Sequence, residues 1–225
     1  MRIRVNFVRP YEIFYLGHLD MKTLIERGLR RTMLPLKYTE GFNKRVQLEL
    51  GFPLSVGMVG EDEYFDFFLK DEISEEQIFS SLNDAFKTLL QIKRIKLLPE
   101  YARALTSFEA VFTNIVMGHF IGEVNFAQFE DSLNELLKKT EIPVEREGKL
   151  KDVRKFIDGI GIYNFDPPHF KLLLTTLYLK VGSIKISELE EIVKQSLPLE
   201  FEYTIREKTL LIDKGKLISP FDVEE

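Results

Sequence analysis

Four amphipathic segments, each opened by a helix start signal and separated by strand-like chain, constrain this sequence more than any other feature. The first follows Gly17, with Asp20 placed three residues on to reach back to free amides. The second opens with Ser74-Glu75-Glu76-Gln77, the third with Asn125-Phe126-Ala127-Gln128 and the fourth with Ser187-Glu188-Leu189-Glu190. A polar residue followed three positions later by an acid or amide satisfies N–H groups that the first helical turn leaves without partners. Behind each signal apolar residues recur at helical spacing: Met21, Leu24, Ile25 and Gly28; Ile78, Leu82, Ala85, Phe86 and Leu89; Phe129, Leu133, Leu136 and Leu137; Leu189, Ile192 and Val193. A helix with one apolar side needs a surface to cover, and the segments between supply it.

Arg2 to Val8 alternates Ile3, Val5 and Phe7 with Arg2, Arg4 and Asn6, the pattern of a half-buried strand. Further strands are expected at Arg45 to Leu50, Glu63 to Leu69, Ile92 to Leu97, Phe108 to Met117, Ile142 to Glu147, Phe170 to Lys180 and Glu200 to Ile205. The order is strand, helix, strand, strand, helix, strand, and then the same again. This predicts an α+β protein of two tandem ferredoxin-like βαββαβ units sharing an interface. Pro99, after the last strand of the first half, sets the expected division into residues 1–99 and 100–225. Lys149 to Asp158 and Asn164 to His169, with the stiff pair Pro167-Pro168, read as loops of the second half.

With no Cys in its 225 residues, the chain offers no disulfide, zinc ribbon or thiolate-held iron–sulfur cluster. The opening MRIRVNFVRP lacks the apolar run of a signal peptide, and no later stretch is apolar enough to span a membrane, so a cytoplasmic protein is expected. The formal net charge of −5 hides an uneven distribution: bases outnumber acids two to one in residues 1–50, and the ratio inverts in residues 51–100. A local positive field steers an anionic partner even on an acidic molecule.

That field belongs to Gly28 to Arg45. Arg27, Arg30 and Arg31 fall at i, i+3 and i+4 on the first helix, which places three guanidinium groups side by side on one exposed face. Pro35 stops the helix, Lys37 and Tyr38 read as extended, and Thr39 to Arg45 turn around Gly41, with Asn43, Lys44 and Arg45 bringing charge back toward the helix end. Arginine forks and loop amides match phosphate oxygens. Tyr38 and Phe42 offer rings for stacking on unpaired bases, although Phe42 reads first as a plug for the core. A run of charge is as often a solvated face, and Glu26 is placed to pair with Arg30.

Catalytic groups are scarce. His18, His119 and His169 are far apart without metal-ligand spacing, so no metal or other cofactor is expected. His18, at a helix start beside the basic segment, is the one candidate for acid–base work. Glu61, Asp62, Glu63 and Asp66 read as protection of a sheet edge rather than a cation site. Phosphate-loop, dinucleotide and hydrolase signatures are missing.

The segment GHLDMKTLIERGLRRTMLPLKYTEGFNKR resembles the opening of the bacterial radical-SAM-linked family, a domain of unknown function found alone or joined to a radical S-adenosylmethionine protein. The resemblance rests on His18-Leu19-Asp20, Glu26-Arg27, Arg30-Arg31, Leu34-Pro35, Tyr38 to Asn43 and Glu63-Tyr64-Phe65-Asp66, with an echo at Glu141 to Arg146. Gly17 stands where the family usually has Ser, and Lys44-Arg45 where it has Pro-His-Pro, so the loop exchanges a histidine for charge. The resemblance implies a separately encoded radical-SAM partner that holds the cluster this chain cannot. The expected function is an RNA-binding accessory subunit with no membrane contact. The alternatives are a metal-independent endoribonuclease using His18, or a scaffold whose basic segment docks the radical-SAM partner.

Overall fold

The computed structural model of the chain describes residues 1–223, which form two compact units. Unit 1 comprises Met1–Phe108 and the tail from Ile218; unit 2 comprises Glu109–Leu217. The expected division at 99/100 falls just beyond the last strand of unit 1's first stretch, before a short turn at Leu105–Ser107.

Unit 1 runs β1 (Arg2–Arg9), α1 (His18–Arg31), β2 (Leu48–Leu50), β3 (Met58–Phe68), α2 (Glu75–Phe86) and β4 (Gln91–Leu98). Its sheet has the order β4-β1-β3-β2 with antiparallel neighbours, and Val5 is paired with Phe65 on one side and Ile95 on the other. One face of the sheet, with Ile3, Val5, Phe65 and Phe67, packs under Ile25 and Leu29 of α1 and Ile78, Leu82 and Phe86 of α2. Each such side chain removed from water contributes about 1.5–3 kcal/mol before ordering costs.

The other face of β1 departs from expectation. Arg2, Arg4 and Asn6 were placed toward solvent by the alternation, yet every residue of β1 is buried. Asp66 explains it. Its two oxygens take Nε and Nη2 of Arg2 at 2.8 and 2.6 Å and the same nitrogens of Arg4 at 2.9 and 2.8 Å. Backbone carbonyls satisfy further donors: Ala102 for Arg2, and Arg103 and Pro220 for Arg4. A buried guanidinium is tolerable only when its fork is filled in this way. Asp66 and Glu63 are therefore interior groups, which corrects their reading as edge protection.

Unit 2 runs β5 (Glu109–Phe120), α3 (Phe126–Lys138), β6 (Pro143–Arg146), β7 (Lys149–Asp152), β8 (Ile157–Asp166), β9 (His169–Tyr178), α4 (Ile186–Lys194), β10 (Leu199–Asp213) and β11 (Lys216–Ile218). The main order is β10-β5-β9-β8, with β11 on β10 and β6-β7 as a separate hairpin. With that hairpin set aside, the order by chain position is fourth, first, third, second, as in unit 1. The expected loops at 149–158 and 164–169 are corrected: they hold β7, the start of β8 and the turn between β8 and β9. The aromatic centre of unit 2 is Phe120, Phe129 and Phe170, with ring centroids 4.8–5.1 Å apart.

Three helix starts follow the sequence signals. Ser74 accepts from the Gln77 amide, and Asn125 and Gln128 cap each other's amides. On α1, which has no Ser at this position, only the return bond from the Gly17 N–H to Asp20 forms, at 3.3 Å. The fourth start is shifted: α4 begins at Ile186, and the Lys185 N–H donates to Glu188, so Ser187 lies inside the first turn.

Candidate nucleic-acid interface

The basic segment is positioned by the way α1 ends. Thr32 folds its hydroxyl back to the Leu29 carbonyl at 2.6 Å, and Met33 takes a left-handed backbone with φ of 59°. The chain then runs antiparallel to the end of β3, the Lys37 N–H donating to the Phe68 carbonyl at 2.8 Å. Tyr38 pairs with Val46, and Thr39 and Arg45 close a tight hairpin through a backbone bond of 2.8 Å and a bond from the Arg45 N–H to the Thr39 hydroxyl. Gly41 at the tip has a φ of +113°, a conformation that side chains disfavour.

The three helix arginines meet different neighbours. Arg30 turns toward the hairpin: it pairs with Glu26 at 2.6 Å, and its guanidinium lies 6.0 Å from the centre of the Tyr38 ring. Lys70, which sequence reasoning missed, lies 5.9 Å from the same ring. Arg27 and Arg31 instead line an open groove with Asp20, Leu24 and Leu89, where Arg31 donates to the Ala85 carbonyl at the end of α2. Lys37 bonds to Glu100, and this contact holds the Glu100 carboxyl below its ordinary range.

The hairpin tip is different. Gly41, Phe42, Asn43, Lys44 and Arg45 are all exposed, and the Phe42 side chain is entirely in solvent, which corrects its reading as a core plug. Arg27, Lys44 and Arg45 make no ion pair among the described residues. An exposed ring followed in the chain by two exposed cations with no ion pair among the described residues offers a face for stacking and charge for an anion. The sequence signal for it was Gly41 followed by an aromatic residue and two bases.

His18 opens α1 at the rim of a small cavity lined by Phe7, Arg9, Met21, Glu63 and Tyr64. Arg9 donates to the carbonyls of Phe14 and Leu16, tying down the turn before His18. The hollow is roughly 30 Å³, room for one or two waters and not for a nucleobase. Burial and then the charge of Lys22 lower the His18 pKa, which favours neutral imidazole. Burial, reinforced by Asp62, pushes the Tyr64 hydroxyl far up, and that hydroxyl donates to Asp62 at 2.7 Å.

Residues 2–201 match the family described as "Uncharacterized protein conserved in bacteria (DUF2344)". The chain belongs to the DUF2344 family. Its match takes in both units, so the basic hairpin and the unit 2 strands up to the start of β10 are part of the DUF2344 pattern. No curated protein matches it. Among solved structures, a chain of the crystal structure of a Cbf5-Nop10-Gar1 complex is similar with a TM-score of 0.56 and 10% identity, over 92% of this chain and 48% of that one. A chain of the crystal structure of the archaeal box H/ACA sRNP Nop10-Cbf5 complex is similar with a TM-score of 0.51 and 10% identity, over 92% and 47%. This chain therefore spans about half the length of the solved chains it matches, and the likeness is one of fold. Among the described residues no helix is long and apolar enough to cross a membrane.

Proposed function

We propose that this DUF2344 chain is an RNA-binding accessory module for a separately encoded radical-SAM RNA-modifying protein, built as two ferredoxin-like units. The strand order shared by units 1 and 2 supports the architectural reading. The observation that carries the functional one is the hairpin tip, where the exposed Phe42 ring stands with Lys44 and Arg45 unneutralised. Gly41 and Asn43 shape that tip for the approach of a strand. Arg30 and Tyr38 form its base together with Lys70, and Lys37, Arg27 and Arg31 extend the charge along the helix end. The likeness in fold to a protein of an archaeal box H/ACA sRNP complex is in keeping with an RNA role. The radical-SAM partner rests on the resemblance of the opening segment, and residues 1–225 contain no cysteine to hold a cluster themselves.

The test is the salt dependence of binding to a single-stranded RNA oligonucleotide, followed by fluorescence anisotropy. Each phosphate neutralised on a single strand should steepen the log–log slope by about 0.7. Contact by three or more cations gives a slope near −2 or steeper. A slope near zero would remove the reading.

A further inference from the structure

Two open hollows of unit 1 meet at Arg31, where α1 packs beside the end of α2. Asp20, Leu24, Arg27 and Arg31 recur at i, i+4, i+7 and i+11 and so form one stripe of α1 along the groove. Ser81, Ala85 and Thr88 supply the matching stripe at the end of α2. The hollows measure roughly 460 and 470 Å³, within the range of about 300–1,000 Å³ usual for small-ligand sites. Their chemistry differs. The first has an apolar floor of Leu16, Leu24 and Leu89, with Arg27 at its side. The second is polar, with Ser81, Asp84, Lys87 and Thr88.

At the junction, one Nη of Arg31 donates to the Ala85 carbonyl at 2.7 Å, which offsets the negative end of α2 and holds the guanidinium in the groove. The other donors of its fork have no partner among the described residues and are left for an anion. Arg27, Lys87 and Asp84 are exposed and make no ion pair among the described residues. Asp20, the other acid of the groove, is engaged by the Gly17 N–H. Three cations suit a phosphate, an apolar floor suits the face of a base, and a carboxylate between them suits a ribose hydroxyl, which is a donor that DNA lacks at the 2′ position. An acidic polypeptide would meet the same cations but would set its carboxylates against Asp84. We propose that this groove is a second nucleotide site, in which one nucleotide of a single-stranded RNA lays its base on Leu16, Leu24 and Leu89. Its phosphate lies against Arg27, Arg31 and Lys87, and its ribose donates to Asp84. The site rests on the RNA-binding reading and adds to it a base-sized hollow that the hairpin tip does not supply.

Fluorescence anisotropy with a labelled twelve-residue oligouridine tests it on the full chain. The double variant Arg27→Ala, Lys87→Ala should bind about ten-fold more weakly, with a salt slope shallower by about 1.4 for two lost phosphate contacts. Both side chains are exposed, so the variant should melt like the parent. The parent should bind the deoxyuridine oligonucleotide more weakly than the ribose form, and Asp84→Ala should bind the two alike. Unchanged affinity and slope in the double variant, with the parent binding, would overturn the groove and leave the hairpin tip standing. A ribose preference that survives in Asp84→Ala would overturn the nucleotide assignment. Displacement of the labelled RNA by poly-glutamate as readily as by unlabelled oligouridine would give the groove to an acidic polypeptide instead. No binding by the parent would remove the groove together with the RNA reading on which it rests.

Discussion

A side chain at Gly28 has no room, because the ring of Phe86 stands 2.1 Å from where its Cβ would be. The bare backbone of α1 thus forms one wall of the socket that holds α2. Gly28→Ala would ordinarily favour a helix by about 1 kcal/mol. Here the fully buried ring has nowhere to go, and overpacking costs about 1–3 kcal/mol. Urea unfolding should show no gain and a net loss of up to about 2 kcal/mol. A variant more stable than the parent would mean that the ring moves aside freely.

Asp66→Asn should be among the most damaging single substitutions in unit 1. It leaves the guanidiniums of Arg2 and Arg4 buried beside each other without the carboxylate they share. Breaking a buried pair in this way costs about 3–5 kcal/mol. Glu49→Gln, at the half-exposed end of the same network, should cost no more than about 1 kcal/mol. Comparable losses in the two variants would show that Asp66 is not the hub.

At the hairpin tip, Phe42→Ala should weaken single-stranded RNA binding by about 1–3 kcal/mol, the worth of one stacked base. Because the ring touches nothing in the fold, the melting temperature should stay unchanged. Replacing Lys44 and Arg45 together by Glu should instead flatten the salt slope. Equal binding by all three proteins in anisotropy titrations would exclude the tip as a contact.

A pH effect is expected in unit 2, where Arg146 clamps Glu188 with two bonds of 2.7 and 2.6 Å. Burial pushes the Glu188 carboxyl up, but Arg146 and the Lys185 N–H outweigh it and hold the group below its ordinary value. A carboxyl that is lower in the folded chain adds stability above the unfolded value of about 4.3, and that stability is lost as the pH falls through the folded one. Glu188→Gln should therefore cost about 1 kcal/mol at pH 7 and progressively less below about pH 4. A difference from the parent that does not vary with pH would contradict the clamp.

The helices were legible because their signals are local: Ser74 and Asn125 cap the turns that follow them, and apolar spacing picks out Ile78, Leu82 and Phe86. β8 was hidden because Gly159 and Gly161 interrupt its pattern and much of the strand is exposed, leaving little apolar alternation to read. The burial of Arg2 and Arg4 was hidden for a different reason. Nothing near them in sequence announces the cover, which comes from Asp66, from carbonyls around residue 102 and from the tail. Likewise the helix arginines were correctly placed on α1, but which neighbour each one meets depends on the hairpin and on α2.

Arg4 also sets an order of events. The carbonyl of Pro220 that accepts from its guanidinium lies 216 positions downstream, and Lys96 likewise waits for the carbonyl of Phe221. During translation, then, β1 is electrostatically complete only after the whole of unit 2 has been made. A nascent chain halted before Pro220 would leave Arg4 with a donor still seeking an acceptor.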